Sequence, residues 1–259
     1  MRKIISFILI IVFCFSNALA EPIFKQTNRD YKFSFPRSHG SHPDYSTEWW
    51  YFTGHLEDEN SRMFGFELTF FRVGVQPVVE VKSNWAVQSL FLAHFAITDD
   101  QEKKFHYSER SSRENFNRAG VSTETMDVFL GSWFARMDDQ GVFSIYAGDD
   151  KASLSLELKN AKPVVLQGDN GFSVKGPGVG EASYYSAFTR LMGSGELKIA
   201  DKQYLIKVAR AWMDHEVTSA EINEEFLGWD WFAIQLDNNK EIMVYQLRDS
   251  EQNKTEYSS

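Results

Sequence analysis

The sequence predicts an all-β protein, an antiparallel sandwich or barrel, on three observations. Past residue 20 no stretch sustains a helical period, two-residue alternation recurs instead, and the alternating segments are short and divided by Asp, Asn and Gly turns. In RMFGFELTFF, Phe64, Phe66, Leu68 and Phe70 share one face, and Met63, Gly65, Glu67, Thr69 and Phe71 the other. SLSLELK sets Leu154, Leu156 and Leu158 against Ser153, Ser155 and Glu157. GELKIADKQYLIKVARAW reads as two strands around ADKQ, and FAIQLDNNKEIMVYQLR as two around DNNK. Trp49–Leu56, Phe91–Thr98, Trp133–Arg136 and Val142–Ala147 are further strands. In GDNGFSVKGPGVGEAS, the spacing of Gly176, Gly178 and Gly180 superficially matches a phosphate-cradling loop. No helical pattern follows it and no Lys-Ser/Thr pair sits at the required offset, so it reads as a flexible connection between strands.

The start of the 259-residue chain reads as an export signal. Arg2 and Lys3 precede the apolar IISFILIIVFCF, and ALA ends at Ala20, so cleavage is expected before Glu21. The apolar run is short for a bilayer span, and no transmembrane segment is expected in the mature chain. Cleavage would take away Cys14, the single cysteine, leaving no internal disulfide. An exported chain without disulfides suits a bacterial periplasm or secretion with a large core in place of covalent staples. It would also take Arg2 and Lys3 from the 27 basic residues, leaving 25 against 36 acidic ones and a formal charge of −11. So acidic a chain is a poor candidate for binding nucleic acid or anionic lipid headgroups, and no nucleic-acid partner is expected. The remaining 239 of 259 residues allow one large domain or two small ones, and 22 Phe, 7 Trp and 10 Tyr supply a wide aromatic core.

Two constellations carry potential chemistry. YSTEWWYFTGHL, as a strand, puts Glu48, Trp50 and Phe52 on one face and Trp49, Tyr51, Thr53 and His55 on the other, with neither face plainly solvated. The Trp pair reads equally as a plug at the end of a barrel or as part of a ligand site, and Glu48, at the strand start, as a residue of the wet rim. ARAWMDHEVTS places Trp212, Asp214 and Glu216 on one side and Met213, His215 and Val217 on the other. The two carboxyls then stand about 7 Å apart, at two residues' rise. That spacing suits a pair of acids flanking a small reacting group, or one acid tuned by its neighbour. It does not suit three-point metal ligation, because His215 points away from its neighbours, and His39 and His42 in SHGSHP are two loop histidines before a strand. No metal is expected. The mature chain offers no cysteine nucleophile and no GxSxG elbow. His94 shares a face with Leu92 and Ala96, the usual setting of a core histidine, and His106 reads as a surface position.

HPDYSTEWWYFTGHL, LAHFAITD, GEASYYSAFTRL, ARAWMDHE and GWDWFAIQL, in that order between His42 and Arg248, resemble the AttH-like, carotenoid 1,2-hydratase-related secreted proteins, often labelled secreted hydrolases. The resemblance implies two lipocalin-like antiparallel β-barrels in tandem. The first would occupy residues 21–192 and the second residues 193–259, incomplete at the C-terminus. In the carotenoid hydratases, the aspartate matching Asp214 is the proposed proton donor. The resemblance therefore implies a catalytic Asp214, with His215 or Glu216 to hold water or reset the proton. It also implies a substrate site drawn from Glu48, Trp49, Trp50, Tyr51, His94, Tyr185, Trp212, Trp229 and Trp231. The implied partner is a small apolar ligand, an isoprenoid or lipid, with no cofactor. Hydrating an isolated double bond begins with protonation to a carbocation. That needs an acid kept protonated near neutral pH, and aromatic faces that stabilise a cation by ~2 kcal/mol each when desolvated. Two features depart from the family: Val217-Thr218 replaces the common Trp-Gly after DHE, and TSAEINEEF is unusually acidic. A hydratase, a carrier without chemistry and a hydrolase all remain open at this point.

Overall fold

The structure is a computed structural model that describes residues 23–76, 83, 85–220, 226–249, 251, 253, 255, 257 and 258. The expected export signal and residues 221–225 of the acidic segment lie outside the described residues. Alternation of apolar and polar side chains shapes the chain into β1 (Thr47–Asp58), β2 (Met63–Gly74), β3 (Ser89–Asp99), β4 (Lys104–Arg113) and β5 (Ala119–Val121). These are followed by β6 (Asp127–Leu130), β7 (Trp133–Met137), β8 (Val142–Gly148), β9 (Ala152–Asn160) and β10 (Val165–Leu166). The last are β11 (Phe172–Val174), β12 (Ala182–Ile199), β13 (Lys202–Thr218), β14 (Phe226–Gln235) and β15 (Glu241–Asp249). Among the described residues no α-helix forms.

One antiparallel sheet runs in the order β4-β3-β2-β1-β13-β12-β9-β8-β7-β6-β5, with β10 and β11 also on β12. It curls into a nearly closed, lipocalin-like barrel. Inside, rings from opposite walls meet: Phe95 of β3 lies 5.8 Å from Trp133 of β7, and Phe52 of β1 lies 6.1 Å from Phe143 of β8. The near-closed seam is bridged by Arg110 of β4. Its guanidinium stands 4.5 Å over the Trp133 ring and donates 3.1 Å to the Gly148 carbonyl and 3.0 Å to Ser132 Oγ. Cation–π attraction and hydrogen bonding there tie the edge strand β4 to β7, the β6–β7 turn and the end of β8, across a seam that no backbone ladder closes.

β14 and β15 form a separate two-stranded sheet. This hairpin lies against the outer face of the barrel wall. Gln235 Nε2 donates to the carbonyls of Thr189 (2.8 Å) and Ala211 (2.9 Å), and Glu241 accepts from Arg190 (2.6 Å) and Lys162 (2.5 Å). The division expected at Met192–Gly193 falls inside β12. β12 pairs with β9 and β13, and β13 returns to β1, so the barrel sheet extends to Thr218.

The expected strands are present, and positive φ falls at their turns: Asn239 between β14 and β15 tolerates it, whereas Ala200 between β12 and β13 adopts it against its Cβ. β4 was not legible because it is an edge strand, with Phe105 and Tyr107 exposed on one face and polar side chains on the other. The glycine-rich segment holds the short β11, which pairs with β12.

Candidate functional site

The wall formed by β2, β1, β13 and β12 has chemistry on both sides, and strand alternation assigns each residue. Asp214 faces Tyr51 across the β1–β13 ladder and Ala187 across the β12–β13 ladder; Trp212 faces Thr53, and Glu216 faces Trp49 and Tyr185. Thr53 in turn faces Glu67 of β2. Trp49, Tyr51, Glu67, Tyr185, Trp212, Asp214 and Glu216 therefore share the outer face, beneath the β14–β15 hairpin. Glu48, Trp50 and His215 share the inner face.

On the outer face Asp214 is buried, and it accepts a 2.7 Å hydrogen bond from Trp212 Nε1. Burial pushes its carboxyl up to about 8; the Trp212 bond works against this, and the neighbouring Glu216 charge adds to it. Aromatic rings wall it in. Trp231 of β14 meets Trp212 edge-on at 6.1 Å and Tyr51 at 5.5 Å, and its Nε1 reaches the Tyr185 hydroxyl at 3.4 Å. Burial, with Asp214 and Glu216 beside it, holds the Tyr185 phenol well above its ordinary range.

Glu216 has a different role. Lys175, from the glycine-rich segment, lies 3.1 Å from its carboxylate, and Ser183 Oγ donates to the same oxygen. The Lys175 ammonium also sits 4.3 Å over the Tyr245 ring of β15. Burial opposes its charge, but Glu216 and Tyr245 outweigh that and raise its pKa. Glu216 is thus a tethered carboxylate that helps pin the hairpin to the barrel.

Beside Asp214 a cleft of about 990 Å³ opens between the barrel wall and the hairpin. Trp212, Trp231, Glu67, Phe105, Ile234 and Arg210 are among the residues lining it. Asp214 is not on its surface; Trp212 and Trp231 stand between. Glu67 was not singled out from sequence because one acid on an alternating strand is ordinary. Its position shows only when β2 is set beside β1 and the hairpin. Burial pushes the Glu67 carboxyl up to about 7, against a hydrogen bond from Thr69 Oγ1.

On the inner face Glu48 is fully buried at the barrel mouth. One of its oxygens accepts from His42 Nδ1 at 2.9 Å and His215 Nε2 at 2.8 Å. The other accepts from Ser41 Oγ and the His42 backbone, both at 3.0 Å, and from Arg72 Nε at 3.2 Å. Burial works against this charge, and the histidine bonds outweigh it, holding the carboxyl well below its ordinary range. Trp50 stacks on His215 at 4.9 Å and donates 3.0 Å to the His39 carbonyl. Gly40 is required there because a Cβ would lie 2.8 Å from the Ser122 carbonyl oxygen. The segment around SHGSHP thus plugs the barrel end, held from beneath by Glu48.

Of the two roles open to the Trp pair, Trp50 takes the plug at the barrel end, and Glu48 braces it fully buried rather than at a wet rim or against a ligand. His215 stands on the opposite side of the wall from Asp214, which corrects its implied role in resetting that proton. His215 does gather with His42 and Glu48: one ligand-type atom from each lies within 4.8 Å of the others. The grouping comes from the plug, which spacing along β13 could not reveal. As a cation site it fits poorly, because the Glu48 carboxylate is saturated with hydrogen bonds and the Arg72 guanidinium already supplies the countercharge. His94 is half-buried on the outer face between Phe71 (5.3 Å) and Tyr107 (5.8 Å), and Trp229 is 61% exposed on β14; neither lines the cleft.

The family model of the AttH-like proteins matches residues 26–259. The chain belongs to the AttH-like family. A crystal structure of a protein described as AttH from Nitrosomonas europaea is 31% identical, with a TM-score of 0.80; the match covers 89% of this chain and 69% of that one. Kievitone hydratase from Nectria haematococca superposes with a TM-score of 0.59 over 90% of this chain and 71% of its own, at 12% identity, which shows a shared fold. No curated protein sequence matches. Within this AttH-like barrel, the acidic pair read from ARAWMDHEVTS divides into an Asp214 walled by rings, its carboxyl raised to about 8, and a Glu216 tied to Lys175.

Proposed function

We propose that this exported AttH-like protein takes an apolar, unsaturated ligand of the isoprenoid or lipid class into the outer-face cleft and adds water across a C=C bond, with Asp214 as the proton donor. The observation that carries the reading is the Asp214 carboxyl, buried among Trp212, Trp231, Tyr51 and Tyr185 with its pKa raised to about 8. Such a group favours its protonated form at neutral pH, forms no ion pair among the described residues because the nearby Lys175 is paired to Glu216, and faces rings whose π-electrons stabilise a developing carbocation. Trp231 must turn aside to admit the ligand. Among the described residues its side chain has one polar tie, the long 3.4 Å contact to Tyr185, and is otherwise held by edge-on packing against Trp212 and Tyr51.

The test is incubation of the purified protein with acyclic unsaturated isoprenoids, followed by mass spectrometry. A product heavier by one water, lost in Asp214→Asn, supports the reading. No product, or product undiminished in the variant, removes it.

A carrier without chemistry is the second reading, favoured by Asp214 lying behind Trp212 rather than on the cleft surface. It predicts saturable binding of the same probes without turnover. Hydrolysis has less support: the hydrogen-bonded rings of His42 and His215 meet Tyr31 and Glu48, not a serine hydroxyl.

A further inference from the structure

Glu67 lines the cleft that Asp214 stands behind. The register fixes their relation: Glu67 is opposite Thr53, and Asp214 is opposite Tyr51, on the two strands flanking β1. With about 4.8 Å between strands and two residues' rise along them, the two Cα atoms lie about 12 Å apart on one face. The two carboxyls thus belong to one face of the wall, Glu67 on the cleft and Asp214 behind its Trp212 and Trp231 lining. The Tyr51 ring stands between them, and both carboxyls act on its phenol. No cation is paired to Glu67 among the described residues; its one hydrogen bond comes from Thr69 Oγ1.

We propose that Glu67 is a second catalytic group of this cleft, the base that takes a proton from the attacking water once Asp214 has protonated the double bond. The inference rests on the hydration reading above. In the first step the Asp214 O–H bond breaks, a C–H bond forms with the alkene electron pair, and a carbocation and a carboxylate remain. In the second, a water lone pair forms the C–O bond while one of its O–H bonds breaks and that proton passes to Glu67. The sum is alkene plus water giving alcohol. Transfer of a proton from Glu67 to Asp214 through solvent restores the start.

The working state has Glu67 ionised and Asp214 protonated. With Glu67 near 7 and Asp214 near 8, that combination is most populated between the two values. Other titratable groups around Glu67 on this face are Tyr51 and His55 on β1, His94 on β3, Tyr107 on β4, Arg190 on β12, Arg210 on β13 and Asp237 in the hairpin turn. None of them outweighs burial and the Thr69 bond in setting its pKa.

The test is the pH–rate profile of hydration for the wild type, Glu67→Gln, Glu67→Asp and Asp214→Asn, each checked for folding by circular dichroism. The wild type should rise with a midpoint near pH 7 and fall with one near pH 8. Glu67→Gln, whose amide oxygen still accepts from Thr69, should lose the rising limb and roughly 100- to 10,000-fold in rate. Glu67→Asp should keep the limb. Hydration lost in Asp214→Asn but unchanged in Glu67→Gln, or a wild-type profile with no rising limb, overturns this inference and leaves the Asp214 reading standing. No hydration by the wild type overturns both.

Discussion

The indole Nε1–H of Trp212 donates a 2.7 Å hydrogen bond to Oδ1 of Asp214, two residues further along the same strand. β alternation puts the two side chains side by side, and the bond gives a buried carboxyl one partner without a countercharge. A neutral donor of this kind stabilises the ionised form a little, while burial disfavours it far more, so the proton stays on. Removing the donor in Trp212→Phe should therefore raise the Asp214 pKa further and move the falling limb of the hydration profile to higher pH. A limb that stays in place or moves down contradicts the assignment.

Stability should carry the same signature. The folded Asp214 keeps its proton up to about pH 8, whereas the unfolded carboxyl loses it in the ordinary aspartate range. Across that window the folded state binds more protons, so stability falls as pH rises. Asp214→Asn cannot ionise and should narrow the drop in melting temperature between pH 5 and about pH 8.5. An unchanged drop, measured by calorimetry, would show that Asp214 does not titrate in that range.

Glu48→Gln should behave differently. It removes the charge that neutralises Arg72 and unbalances the bonds from His42 and His215. Breaking a buried ion pair from one side costs about 3–5 kcal/mol, so the barrel should lose that order of stability in denaturant titrations. A loss under about 1 kcal/mol would mean the plug is held by other contacts.

Gly54→Ala tests the wall itself. A Cβ there would lie 2.2 Å from the Arg210 carbonyl oxygen, so β1 and β13 must separate just below Trp212. Overpacking of this kind costs about 1–3 kcal/mol, and ligand binding in the cleft should weaken with it. Wild-type stability in this variant would show that the two strands are not so close.

Much of the barrel was legible because buried walls alternate strictly, as in Phe64 to Phe70 and Leu154 to Leu158. Edge strands such as β4 were not, since exposure on one face leaves Phe105 and Tyr107 looking like loop residues. In the site, alternation on β13 correctly separated Asp214 from His215. It carried no information on what faces each of them. Lys175 comes to Glu216 from a glycine-rich segment 41 residues earlier, Glu67 shares the cleft only through the β2–β1–β13 register, and His42 meets Glu48 because a plug folds over the barrel mouth. Contacts of that kind are set by topology, and one strand's pattern does not contain them.

The central claim is that Asp214 holds its proton at neutral pH. Carbon-13 labelling of aspartate carboxyl groups, with an NMR titration of the wild type and Asp214→Asn, reads that proton directly. One resonance titrating near pH 8 in the wild type and missing from the variant is the predicted result. An Asp214 resonance titrating in the ordinary range near pH 4 would contradict it and leave the cleft without its acid.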